Sequence, residues 1–139
     1  MENPQENKQA LLYQFKYLKD QRDMFANQLE FVSASLSNLM NTKVTTENLK
    51  NVKEGEEILV PIGGLLNIQA TIKNPNKIQL YISQDVVIEK DIDSSIEFID
   101  KIIGQHNEQL QFLRTQIQNL DLNLQNMSMA FQRSGFQQG

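Results

Sequence analysis

From Asp93 onward the chain places Ile96, Ile99, Ile103, His106, Leu110, Leu113, Ile117, Leu120, Leu124, Met127 and Phe131 at alternating steps of three and four. This heptad seam constrains the fold more than any other feature. A stripe so narrow, flanked by Gln, Asn and charged residues, predicts a long helix lying against one partner helix rather than one sunk in a globular core. The first half supplies the partner. Leu11, Phe15, Leu18, Arg22, Phe25, Leu29, Val32, Leu36 and Leu39 repeat the same spacing. After Met40 the pattern thins to Val44, Leu49 and Val52, so the helix is expected to continue with weaker packing or a local break and to stop near Gly55. The two helices are nearly matched in length and can pair antiparallel within one chain, which brings both termini to one free tip.

The segment between them has period two. "LNIQATI" sets Leu66, Ile68, Ala70 and Ile72 against Asn67, Gln69 and Thr71, and "KIQLYIS" sets Ile78, Leu80 and Ile82 against Lys77, Gln79 and Tyr81, the alternation of half-buried strands. Gly63-Gly64 separates "EILVPI" from the second strand, "NPN" at Asn74 to Asn76 reads as a tight hairpin turn between the second and third, and "VVIEK" follows as a fourth. Two consecutive hairpins are expected. So small a sheet is marginal alone and has open edges, so burial against strands of other subunits would complete it; Ile58, Val60, Ile68, Leu80, Ile82 and Ile88 are the expected oligomer interface.

Composition narrows the function. With 139 residues, 40% hydrophobic and 22% charged, the chain suits a single soluble domain. It divides into a first coiled-coil helix over 1–53, a hairpin body over 54–92, a second helix over 93–133 and a flexible tail over 134–139. The N-terminal stretch has neither a basic nor an apolar signal region and no run is long enough to span a bilayer, so a cytoplasmic protein without membrane contact is expected. A net charge of −4 and scattered Arg22, Arg114 and Arg133 argue against nucleic acid. Absence of cysteine removes thiolate chemistry and cysteine zinc sites.

The remaining polar features read as structure rather than chemistry. Gly63-Gly64 lacks a following Lys-Ser/Thr and is a strand break, not a phosphate loop. His106 is a core or register-setting residue of the seam, with no second histidine for a metal site. Arg22 is expected to snorkel to an acid on the partner helix. Asp93 or Ser94 is expected to cap the second helix, with Glu97 closing a capping box on Ser94. No catalytic residue, metal or cofactor is expected, and the protein does not read as an enzyme.

Taken together, "EILVPIGGLLNIQATI", the turn and strand after it, and "VVIEKDIDSSIEFID" resemble the alpha-class subunit of prefoldin, with "LVPIG" at Leu59 to Gly63 the most specific match and Val87, Glu89 and Ile92 supporting it. Where the family carries Gly-x-Gly after the third strand this chain has Ser83 and Asp85, a departure that leaves a standard alpha subunit and a divergent, gamma-like paralogue both open. The resemblance implies an α+β fold, a long antiparallel two-helix coiled coil joined by two β-hairpins that contribute to an oligomeric β-barrel body. It also implies a hetero-hexamer of two alpha-class and four beta-class subunits whose tentacle tips hold unfolded proteins, without ATP, and pass them to a group II chaperonin.

The tip residues on that reading are Leu11, Leu12, Phe15, Met127, Met129, Phe131 and Phe136. Leu11, Phe15, Met127 and Phe131 fall on the seam, where mutual packing accounts for them equally well. Leu12, Met129 and Phe136 fall off it, where an ordinary coiled coil would leave them in water. A structural coiled-coil protein, forming filaments or scaffolding a complex through its strands, is the alternative.

Overall fold

The computed structural model describes residues 4–133, whose elements run α1 (Pro4–Asn48), a 3-10 turn (Leu49–Asn51), β1 (Glu57–Ile62), β2 (Leu66–Thr71), β3 (Ile78–Ser83), β4 (Val86–Lys90) and α2 (Ile92–Arg133). The chain forms two compact units: residues up to Ser35 together with those from His106 on, and Leu36–Gln105.

In the first unit the helical segments pair antiparallel. Phe15 meets Phe131, Arg22 meets Asp121 and Ser35 meets His106, so numbers rise on one helix as they fall on the other. Val32, Leu110, Leu113 and Leu120 are buried between them, and Phe15, Leu18, Phe25, Leu29, Ile117, Leu124, Met127 and Phe131 are half-buried. These are the heptad positions, because two rods in contact along one line cover only that stripe. Arg22 lies on the seam with its stem, while Nε donates to Asp121 Oδ1 at 2.9 Å.

The second unit holds the rest of the helix pair and both hairpins. Helix α1 does not break at Met40. Its contact face passes through Lys43 and Thr46, not through Val44, which is exposed. Lys43 lays its stem on the seam and carries its ammonium 2.7 Å from Asp100, and buried Thr46 satisfies its hydroxyl by donating to the Thr42 carbonyl at 2.7 Å. Lys50 Nζ lies 2.9 Å from Asp93, one heptad along on each helix. The chain then leaves the helix in a turn in which Glu56 N donates to Lys53 O, with Gly55 at φ 85°, a conformation that glycine adopts without a Cβ penalty.

The strands form two separate two-stranded antiparallel sheets, β1 with β2 and β3 with β4. The expected hairpin between β2 and β3 is absent. The turn itself forms: Pro75 sits at its second position, Lys77 N donates to Asn74 O at 3.2 Å, and Asn74 Oδ1 accepts from Asn76 N. Its flanking strands do not pair with each other, and Asn76 turns its side chain to the start of α2, where Oδ1 accepts from Ile92 N at 3.0 Å. The "NPN" turn therefore belongs to the helix start.

The helix cap also differs from expectation. Asp91, not Asp93 or Ser94, caps α2: its Oδ1 accepts from Ser94 N at 2.7 Å and its carbonyl from Ser95 N at 3.0 Å. Those two bonds satisfy amide groups that a helix start leaves open. Asp93 is instead the partner of Lys50.

Where a glycine turn is missing, β3 and β4 close through Gln84-Asp85 with no positive φ among them. Such a turn does not match the strand twist on its own, and the register shifts between Tyr81 and Ser83, leaving Ile82 as the extra residue of a bulge.

Candidate functional site

Exposed apolar side chains gather at the expected tip in the first unit and on the hairpins in the second. In the first unit, Phe15 and Phe131 meet edge to face with ring centroids 5.8 Å apart. That geometry aligns the positive edge of one ring with the negative face of the other. Met127 is half-buried on the same seam. Beside this pair, Leu11 is exposed, and the off-seam Leu12 and Met129 are 52% and 44% exposed. Met129 lines a shallow groove with Asn126, Ala130 and Arg133. Phe136 lies outside the described residues.

In the second unit the hairpins present apolar surface. Paired residues of an antiparallel ladder share a face, and the β1–β2 register sets Ile58 opposite Ala70, Val60 opposite Ile68 and Ile62 opposite Leu66. All six are apolar, and all but Ala70 are exposed. The expected half-burial of these strands does not occur within the chain, since a two-stranded sheet has no second layer here to cover it. Ile62 and Leu66 join the expected Ile58, Val60 and Ile68. Leu65, at the bend after Gly63 (φ 76°) and Gly64, is 97% exposed.

In the second hairpin the expected residues divide. Leu80 and Ile88 are direct partners and half-buried, whereas Ile82, on the bulge, is exposed with Tyr81 and Val87. Lys90, at the end of β4, sets its ammonium 5.6 Å from the Phe98 ring centroid of α2. Leu65, Tyr81 and the Ile62/Leu66 pair are exposed apolar positions beyond the expected interface; the alternation of "LNIQA" was the signal for Leu66, while "ILVPI", apolar at Ile58, Leu59 and Val60 in succession, gave none for Ile62.

Charge near these surfaces is structural. Hydrogen bonding to Ser94 lowers the Asp91 carboxyl below its ordinary value. Hydrogen bonds to Asp121, Asp100 and Asp93 raise Arg22, Lys43 and Lys50 respectively. Among the described residues no group of three or more His, Asp or Glu could hold a metal ion, and no helix is long and apolar enough to cross a membrane. The arrangement offers apolar contact area and open strand edges, the chemistry of binding.

Comparison with known proteins agrees with this geometry. Residues 18–136 match the family model described as prefoldin subunit. Prefoldin subunit alpha of Methanococcus maripaludis is 31% identical over 100 residues, covering 69% of each chain. The alpha subunit of Pyrococcus horikoshii is 29% identical over 77% of this chain and 74% of that one, and prefoldin subunit alpha 1 of Thermococcus kodakarensis is 32% identical over 70% and 67%. In fold, the chain is similar to a subunit in the cryo-EM structure of filamentous PFD from Methanocaldococcus jannaschii, with a TM-score of 0.73 at 17% identity over 83% of this chain and 95% of that one. The helix–hairpin–hairpin–helix order, the solvent-facing strands and these likenesses together establish that the chain belongs to the prefoldin family, on its alpha-class side.

Proposed function

We propose that this chain is a subunit of an ATP-independent holdase that captures non-native polypeptides at its coiled-coil tip and delivers them to a group II chaperonin. The mechanism is binding without catalysis, in the cytoplasm. The whole chain acts as one prefoldin-like domain. The observation that carries the reading is Leu12 and Met129, large apolar side chains off the seam and in water, beside the Phe15–Phe131 pair. Flexible methionine and leucine adapt to irregular apolar segments, and several such ends acting on one client multiply weak contacts. Leu11, Phe15, Met127 and Phe131 complete the gripping surface, with Phe136 following in sequence.

The hairpins serve assembly. Ile58, Val60, Ile68 and Ile82 face strands of beta-class subunits, with Leu80 and Ile88 supporting the second hairpin, in a hexamer of two alpha-class and four beta-class chains. Open edges and an uncovered apolar face support this role.

Removing residues 1–13 and 127–139 deletes the off-seam side chains and spares every strand. The truncated protein should assemble as the intact one does, yet lose most of its suppression of aggregation of a denatured test protein, with or without nucleotide. Full protection by the truncated assembly would refute the tip assignment. A second reading, a filament-forming or scaffolding subunit, draws on the fold likeness to a filamentous assembly. It becomes the better account if the intact assembly protects no client and electron micrographs show fibres.

A further inference from the structure

Off the seam, α1 carries a second apolar stripe. Tyr17, Met24 and Phe31 recur at one-heptad intervals, each two places after a seam residue, and are 60%, 49% and 77% exposed. Seam packing does not account for them. Large apolar side chains aligned in water mark contact surfaces. Gln21 Nε2 donates to the Tyr17 hydroxyl at 2.9 Å, which holds that ring along the helix.

Met24 and Phe31 line a shallow groove with Asp20, Asp23, Val32 and, from α2, Gln109. Val32, buried on α1, and Gln109, exposed on α2, place the groove at the crease between the paired helices of the first unit. A crease flanked by apolar residues at heptad spacing is the shape that an added helix fills, its own side chains seated between those of the first two. The charges on the groove decide the occupant. Asp20 and Asp23 are both acidic, and no lysine or arginine lines it. Arg22 Nη1 stands 3.9 Å from Asp23, but its Nε is engaged by Asp121 at 2.9 Å. A two-fold contact through this groove would bring two acidic surfaces together with no lysine or arginine of the groove between them, which is unfavourable.

We propose that this groove docks an amphipathic helix of a partner polypeptide, one bearing apolar residues at heptad spacing with lysine or arginine beside them. The surface is separate from the tip and the hairpins, and its occupancy does not depend on the holdase reading.

The test uses the full-length chain and two labelled synthetic helices of three heptads, alike in their leucines, one with lysine and one with glutamate at the flanking positions. Fluorescence anisotropy should show the lysine peptide binding at least about tenfold tighter than the glutamate peptide. Phe31→Ser and Met24→Gln, both off the seam, should each weaken the lysine peptide about tenfold while helicity by circular dichroism is kept. Asp20→Asn with Asp23→Asn should erase the preference between the peptides. Equal binding of the two peptides, or binding untouched by both Phe31→Ser and Met24→Gln, overturns the proposal. So does self-association in sedimentation that Phe31→Ser abolishes, which would assign the groove to a second copy.

Discussion

Ser35 and His106 face each other across the helix seam, with Oγ and Nε2 3.0 Å apart. A polar contact between half-buried groups in a largely apolar stretch of the seam favours the one register in which both partners meet, because a slip parts them. Ser35→Ala alone should therefore destabilise by about 1 kcal/mol, by leaving the ring nitrogen without this partner. His106→Leu combined with Ser35→Ala should restore or exceed the starting stability, since it replaces a polar pair by packing. Thermal unfolding of the four proteins in a double-mutant cycle checks it, and additive effects would contradict the coupling.

Core and surface positions of α2 should separate cleanly. Leu113 is 2% exposed in the seam, and Leu113→Ala should cost about 2–5 kcal/mol through lost transfer energy and the cavity left behind. Phe112, its exposed neighbour, should tolerate Phe112→Ser within about 0.5 kcal/mol. Chemical denaturation of both variants reads the difference.

Gly104 lies inside α2 with nothing within 4 Å of the position a Cβ would take. Gly104→Ala should raise stability by about 1 kcal/mol, because alanine loses less backbone freedom on entering a helix. A lowered melting temperature would mean that the position serves something other than the helix.

The helix cap sets an acid limit. Asp91 titrates below the ordinary 3.8 because its ionised form is held by Ser94. Its contribution is present above that ordinary value and is lost as the pH falls through the lower folded value. Asp91→Asn, which retains a capping oxygen without the titration, should flatten the acid limb of helicity against pH, whereas Asp91→Ala should weaken the helix start at every pH. At the other extreme, Lys43 and Lys50 are raised above 10.5, so their pairing persists below that value and fades as the pH climbs through the folded one.

Assembly should fail without loss of helix when the first hairpin is charged. Ile68 is exposed and opposite Val60, so Ile68→Asp leaves the chain's own packing alone while spoiling the apolar face. Sedimentation should find smaller species with unchanged circular dichroism. Leu80→Asp should do more, because Leu80 is half-buried against Ile88 and the charge would disturb the hairpin itself.

The helices were legible from spacing alone. Leu110, Leu113 and Leu120 are buried at the positions that steps of three and four indicate, since the period of a helix is a local property and two helices touching along one line need no other instruction. Arg22 reaching Asp121 was legible for the same reason: the stem of a long cation on a seam lies along the interface and carries its head to an acid of the partner helix. The seam's passage through Lys43 and Thr46 was hidden, because their burial depends on a lysine stem lying flat and on a hydroxyl satisfied by the preceding turn, neither of which hydropathy records. Strand existence followed from alternation, but strand partnership did not. The turn at Asn74 to Asn76 has the residues of a hairpin, yet β2 and β3 pair with other strands and Asn76 serves the α2 start through a hydrogen bond from Ile92, sixteen residues away. The cap falls on Asp91, the residue just before α2, whose Oδ1 meets Ser94 N three residues on, while Asp93 pairs with Lys50 of the other helix. Local periodicity sets which residues form helices and strands, and near neighbours in sequence satisfy the cap and the turns; which polar groups meet across the seam or between segments is decided only when distant segments are brought within about 3 Å of one another.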